Sequence, residues 1–240
     1  MGVLAAAFEL ERSVARLRFR GPAAYTYSPL TYALDVHAAY LRRFGKGKRD
    51  VILLGMNPGP WGMVQTGVPF GEVGAVRDWM KLEGRIEQPK RQHPKVPVLG
   101  FDCPRSEVSG ARLWGWARDC FGTPRQFFRR FFVWNYCPLA FLEECGRNLT
   151  PDKLPKNERV PLEEACNEAL RRIVATMKPE HVVGVGSYAA KRAGVALCDL
   201  PLRIGQILHP SPASPAANRG WAEKITVQLA DMGIEVPRHG

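Results

Sequence analysis

The chain has 240 residues, enough to bury one sizeable core, and it carries 34 Lys+Arg against 23 Asp+Glu, a formal net charge of +11. No run approaches the length of a membrane span, and the six cysteines show neither a CxxC pair nor zinc-ligand spacing. Together with the lack of a low-complexity linker, this argues against a membrane protein, a disulfide or metal framework and a second domain, and for one domain over residues 1–240. A balance this basic favours a polyanionic partner, because fixed positive charge steers and holds phosphate backbones.

The N-terminal "MGVLAAAF" lacks the basic region of a signal peptide and runs into the helical pattern of "ELERSVARLRF", so the expected compartment is the cytoplasm, or the nucleus in a eukaryote. A helix is expected over "PLTYALDVHAAYLRRF", followed by the basic stretch "RRFGKGKR" (Arg42 to Arg49) and a first strand, Val51 to Gly55. A second basic stretch, "KRQHPK", spans Lys90 to Lys95; each taken alone reads as a solvated loop. Helical patterns in "GARLWGWARDCF" and "PRQFFRRF" lead to a second strand, Phe131 to Asn135. The pattern "PLEEACNEALRRIVATMK" leads to a third, His181 to Gly186, and "SYAAKRAGVALC" to a fourth, Arg203 to His209. A last helix is expected over about Pro215 to Asp231.

The four strands are continuous apolar runs, as parallel strands covered on both faces should be. Strand and helix alternate, which points to a three-layer α/β/α sandwich around a four-stranded parallel sheet. Ligands of such sheets sit beyond the carboxyl ends of the strands. There the chain places "GMNPGPWGM" after the first strand, Asn135 in "NYCPL", "GVGSYAAK" after the third strand, and His209 in "HPSPASPAANRGW". Neither a P-loop nor a GxGxxG fingerprint is present, so nucleotide binding is disfavoured. Ser187 is placed to cap the helix that follows it and, with backbone N–H groups, to hold one phosphate. Pro210 and Pro212 stiffen the segment around Ser211 into a finger that could press into a nucleic-acid groove, although from this segment alone a simple proline-rich turn capping the last helix at Asn218 is the favoured reading.

Taken together, "GMNPGPWGMVQTGVPFGEV", "NYCPL" and "HPSPASPAANRGW" resemble the single-strand-selective monofunctional uracil-DNA glycosylases, over roughly Val51 to Trp221. The resemblance implies hydrolysis of the bond between a damaged base and deoxyribose, without metal or other cofactor, by a monomer whose partner is DNA, single-stranded in preference to double-stranded. It implies that Asn57 positions the hydrolytic water, that His209 stabilises negative charge on the departing base, that Asn135 reads the base and that Phe70 stacks on it. Gly59 and Met63 correspond to the part of the first loop that shapes the pocket around the C5 edge, and Pro210, Ser211 and Pro212 to the finger that meets DNA. Relatives carry an arginine in that finger where Ala213 stands here, which leaves single-strand activity the safer expectation. Relatives also accept oxidised uracils such as 5-hydroxymethyluracil and some deaminated purines.

The residue types suit the chemistry. A base must leave the stack to be reached, and Asn135 can accept from uracil N3–H while donating to O4, the reverse of what cytosine presents. Asn57 is too weak a base to deprotonate water and no carboxylate lies within "GMNPGPWGM", so the water is expected to be held rather than activated. Two rivals remain open at this point: a non-catalytic nucleic-acid-binding protein on the same scaffold, and an enzyme acting on free nucleosides, which would not need the positive surface.

Overall fold

The computed structural model describes residues 2–237. Helices in chain order are α1 (Val3–Val14), α2 (Pro29–Tyr32), α3 (Leu34–Phe44), α4 (Met63–Thr66), α5 (Val108–Phe121), α6 (Pro124–Arg130), α7 (Lys156–Met177), α8 (Ser187–Ala196) and α9 (Trp221–Asp231). Strands are β1 (Tyr25–Tyr27), β2 (Val51–Gly55), β3 (Phe131–Asn135), β4 (Ala140–Leu142), β5 (Asn148–Leu149), β6 (His181–Val185) and β7 (Arg203–Ile207). A five-residue π-helical segment, Ala75–Trp79, follows the first loop.

Four strands form one parallel sheet in the order β3-β2-β6-β7, flanked by helices. One helical layer groups α1, α7 and α8, with α8 against β6 and β7; the other groups α5, α6 and α9, with α6 against β3 and α9 against β7. The expected three-layer α/β/α sandwich is therefore the architecture. The chain enters the sheet at β2, adds β3 on one side, then β6 and β7 on the other, so the topology reverses beside β2. That reversal opens a crevice at the carboxyl ends of the strands.

The apolar runs explain the burial of the centre. Every residue of β2, β3 and β6 is buried, and each apolar side chain so removed from water contributes about 1.5–3 kcal/mol. The fourth strand departs from the expectation of two covered faces. In β7 only Ile207 is buried and Ile204 is 37 % exposed, whereas β3 at the opposite edge is wholly buried, so the helical layers cover the β7 edge less completely than the β3 edge.

Local chemistry sets several helix limits. Thr123 and Gln126 form a capping box at the start of α6, with Pro124 in the first turn. Gly122 ends α5 at φ 68°. Helix α7 begins at Lys156, ahead of the expected Pro161, and carries that proline inside its second turn, where it cannot supply the N–H that would bond the Asn157 carbonyl. The last helix starts at Trp221 rather than near Pro215, because residues 212–220 fold as successive turns. A second, three-stranded antiparallel sheet, β1-β4-β5, packs its own small cluster of Tyr27, Tyr32, Val96 and Leu142 beside the main core.

Candidate functional site

The crevice holds a cavity of about 410 Å³ lined by Met56, Asn57, Pro58, Gly59, Pro60, Phe70, Glu107, Ser109, Asn135, Asn148, Thr150, His209 and Ser211. Asn57, Gly59, Phe70, Asn135, His209 and Ser211, singled out in the sequence, are thus brought together. Met63 lies just behind this wall, 2 % exposed, with its Sδ accepting from Asn135 Nδ2 at 3.2 Å.

The first loop is stitched to the end of β3. Tyr136 N–H donates to Gly55 O at 2.9 Å and Cys137 N–H to Met56 O at 2.8 Å, while Asn57 Nδ2 reaches Leu139 O at 3.4 Å. Below the loop, Tyr136 O–H donates to Asn167 Oδ1 at 2.7 Å and accepts from Arg192 Nε at 3.0 Å; Arg192 in turn pairs with Glu163. This polar network fixes the exit of β3 and with it Asn135. Gly55 stands opposite Asn135 in the β2–β3 ladder. A Cβ on Gly55 would overlap Asn135 Oδ1 and lie 2.6 Å from Phe70 Cε2, so the missing side chain makes room for both.

Asn135 is 3 % exposed and its Oδ1 has no hydrogen-bond partner. A buried amide oxygen left unpaired costs about 1–3 kcal/mol, so it is poised to accept from a ligand donor. Its Nδ2 spends one hydrogen on a sulfur, a weak acceptor, and keeps another.

Phe70 is held in the left-handed region at φ 53°, a strained choice for a bulky residue. Its carbonyl is clamped by Trp114 Nε1–H at 2.9 Å and Glu72 N–H at 2.7 Å. Gly110 permits this clamp, because a Cβ there would overlap Phe70 O. The strained turn aims the ring into the cavity, with its centroid 6.2 Å from that of His209.

His209 follows β7. Gln228 Oε1 on α9 accepts from Leu208 N–H at 2.8 Å, and Trp221 Nε1–H donates to Leu208 O at 2.8 Å, so the last helix anchors the residue before it. Gly186, at φ 92°, packs under the His209 Cβ. Burial pushes the His209 imidazole below its ordinary pKa, so it is neutral at pH 7. Ser211 N–H donates to its Nδ1 at 3.1 Å, which assigns the ring proton to Nε2 and leaves that N–H free to donate.

The finger after His209 is braced from a distance. Arg112 on α5 donates to Pro210 O at 3.0 Å and to Asn218 Oδ1 at 2.8 Å, and Asn218 Nδ2 donates to Pro212 O at 2.9 Å. Asn218 therefore ties the finger to α5 rather than capping α9, whose N-cap is Gly220. Pro210 is buried under the finger, whereas Pro212 and Ala213 are exposed at its tip; neither proline lines the cavity. The capping expectation for Ser187 also needs correction. Gly186 is the N-cap of α8, made possible by its positive φ, and Ser187 is the first helical residue, with no capping hydrogen bond from its side chain.

The sequence reading missed Glu107, whose carboxyl comes to the cavity wall from the residue preceding α5. It also missed the brace by Arg112. The basic segment Arg42 to Arg49 immediately precedes β2, at the opposite end of the sheet from the cavity. Among the described residues no group of three or more His, Cys, Asp or Glu is placed to hold a metal ion, and no helix is long and apolar enough to cross a membrane.

The arrangement thus offers a slot floored by an aromatic ring, an amide with an unpaired acceptor on one side, a neutral imidazole N–H on another and an amide at the mouth. Residues 43–229 match the family model described as the uracil DNA glycosylase superfamily. The chain is 47 % identical over 235 residues to the single-strand selective monofunctional uracil-DNA glycosylase of Rattus norvegicus, spanning 97 % of this chain and 84 % of that protein. It is 46 % identical over 235 residues to the corresponding protein of Bos taurus, spanning 97 % and 86 %. The crystal structure of wild-type Pedobacter heparinus SMUG2 superposes with a TM-score of 0.64 at 16 % identity, covering 95 % of this chain and 98 % of that one, a likeness of fold. The chain belongs to the uracil DNA glycosylase superfamily, and within it to the single-strand selective monofunctional uracil-DNA glycosylases.

Proposed function

We propose that this protein is a monofunctional DNA glycosylase that takes uracil, preferentially from single strands, and hydrolyses its bond to deoxyribose to leave an abasic site. The observation that carries the reading is the convergence of Phe70, Asn135 and His209, from three distant segments, on the one cavity that Asn57 also lines. The names of the relatives agree with it.

In this reading the flipped base lies on Phe70, a contact worth about 1–3 kcal/mol. Asn135 Oδ1 accepts from N3–H and its remaining Nδ2 hydrogen goes to O4. Cytosine opposes an acceptor to Oδ1 and a donor to Nδ2, so two buried groups stay unpaired. As the glycosidic bond lengthens, negative charge collects on the base carbonyls. The His209 Nε2–H stabilises it at O2, and one such preorganised donor typically contributes about 2.7–4 kcal/mol. Asn57 holds the water that adds to the sugar, already close to an oxocarbenium ion, and the proton it sheds passes to solvent. Oxidised uracils and deaminated purines extend the proposed range, and the cytoplasm or nucleus is the proposed site of action of a monomer. The net charge of +11, with no arginine at Ala213, is read as favouring a single strand.

The test follows free base released from single-stranded and duplex oligonucleotides that each carry one uracil, by the unmutated protein and by His209→Ala. Release favouring the single strand and reduced at least a hundredfold in the variant supports the reading. Salt-sensitive DNA binding without base release would favour a non-catalytic binding protein instead.

A further inference from the structure

The carboxyl of Glu107 is seated in a slot cut from glycines. A Cβ on Gly59 would overlap Glu107 Oε1, a Cβ on Gly62 would overlap Oε2, and a Cβ on Gly110 would lie 3.0 Å from Oε2. The first loop and the first turn of α5 thus both give up side chains where this carboxyl sits. Its Oε2 is buried without a hydrogen-bond partner, and the residue lines the base cavity. Nothing in the proposed chemistry uses it.

Its place on the ring follows from the other three walls. If uracil lies on Phe70 with Asn135 spanning N3 and O4 and His209 at O2, and the sugar on N1 points to Asn57, the edge left over is C5–C6. On the first-loop side the wall that remains is Met56, Pro58, Gly59 and Pro60 with Glu107 and Ser109 beside them. Because Gly59 has no side chain, Glu107 Oε1 takes the space beside it on this wall.

We propose that Glu107 is a specificity-determining residue: its carboxyl hydrogen-bonds a hydroxyl carried on C5 of the base and disfavours a plain methyl group there. The inference rests on the base orientation of the proposed function. A hydroxyl both donates and accepts, so it satisfies the carboxyl in either protonation state. This matters because burial, with the nearby Glu72 charge, pushes the Glu107 carboxyl up to about 7. A methyl group offers no partner, and a site built to pair a substrate hydroxyl penalises the analogue without one.

The experiment compares single-turnover release of uracil, 5-hydroxymethyluracil and thymine from single-stranded oligonucleotides by the unmutated protein, Glu107→Gln and Glu107→Ala, with a thermal melt of each. Alanine is expected to lower the ratio of 5-hydroxymethyluracil to uracil release at least tenfold and to raise thymine relative to uracil. Glutamine, which keeps a polar head of the same shape, is expected to hold the first ratio within about threefold. Should the alanine protein melt below the assay temperature, Glu107→Leu carries the same expectation for both ratios. Equal loss on all three bases, or an unchanged ratio in both the alanine and leucine proteins, would overturn the assignment. If the unmutated protein released no uracil at all, it is the proposed function that would fall.

Discussion

Gly55→Ala perturbs the site from a residue that needs to touch no base. Gly55 is buried at the end of β2, and its backbone is ordinary for a strand, so the substitution brings no positive-φ strain. The added methyl overlaps Asn135 Oδ1 and meets Phe70 Cε2 at 2.6 Å, whereas real Cβ contacts essentially never fall below 3.0 Å. The amide must withdraw by about an ångström, and a displacement of that size in a positioning group costs on the order of a hundredfold in rate. That is about 2.7 kcal/mol of barrier. Stability should suffer by about 1–3 kcal/mol from overpacking, a fall of roughly 2–12 °C in melting temperature for a chain of this size. The assay is single-turnover release of uracil from a single-stranded oligonucleotide at a temperature where both proteins are folded, with thermal unfolding followed by circular dichroism. A folded Gly55→Ala protein that releases uracil within threefold of the unmutated rate would show that Asn135 and Phe70 do not need the positions they occupy.

Asn135→Asp should weaken uracil release and tilt preference toward cytosine, since a carboxyl can present a donor where the amide presents an acceptor; paired uracil and cytosine oligonucleotides with unchanged discrimination would remove Asn135 from base reading. Asn57→Asp should speed uracil release, because a carboxylate can polarise the water that the amide only holds, and single-turnover rates showing no gain would count against that role. His37 sets an acid limit on stability. Its Nδ1–H donates to Gly67 O at 2.7 Å, its Nε2 is buried without a partner, and burial lowers its pKa to about 4. The unfolded chain takes up this proton below about 6.5 and the folded one only near 4, so the contribution is complete above 6.5 and lost between those values. Urea unfolding at pH 7 and pH 4.5 should show a drop about 2–3 kcal/mol larger in the unmutated protein than in His37→Gln, and equal drops would contradict the assignment.

The elements that the sequence announced are those whose signal is local. Strands β2 and β3 have the limits that their apolar runs suggested, because each is buried on both faces and bounded by a polar or turn residue. The run in β7 looks alike in sequence, yet it is largely exposed where β3, at the opposite edge, is buried, and how far the helices cover an edge strand is a property of packing rather than of composition. Strands β1, β4 and β5 span two or three residues each, too few to carry a periodicity, so their sheet was not legible. Asn57, Asn135 and His209 could be found because each follows or ends a strand. Phe70 could be named from its motif, but the φ of 53° that turns it into the cavity arises from the clamp by Trp114 and Glu72, which no local pattern encodes. Glu107 escaped notice because two of the three glycines that receive it, Gly59 and Gly62, lie in a different segment, and only the fold brings them to it.

The account turns on one amide holding one water in a metal-independent hydrolysis. The most direct test incubates the purified protein with EDTA and a single-stranded oligonucleotide carrying one uracil, cleaves abasic sites with alkali, and runs Asn57→Ala alongside. Cleavage at the uracil by the unmutated protein, reduced at least a hundredfold by Asn57→Ala, is the predicted result. No cleavage by either protein, or equal cleavage by both, would contradict it.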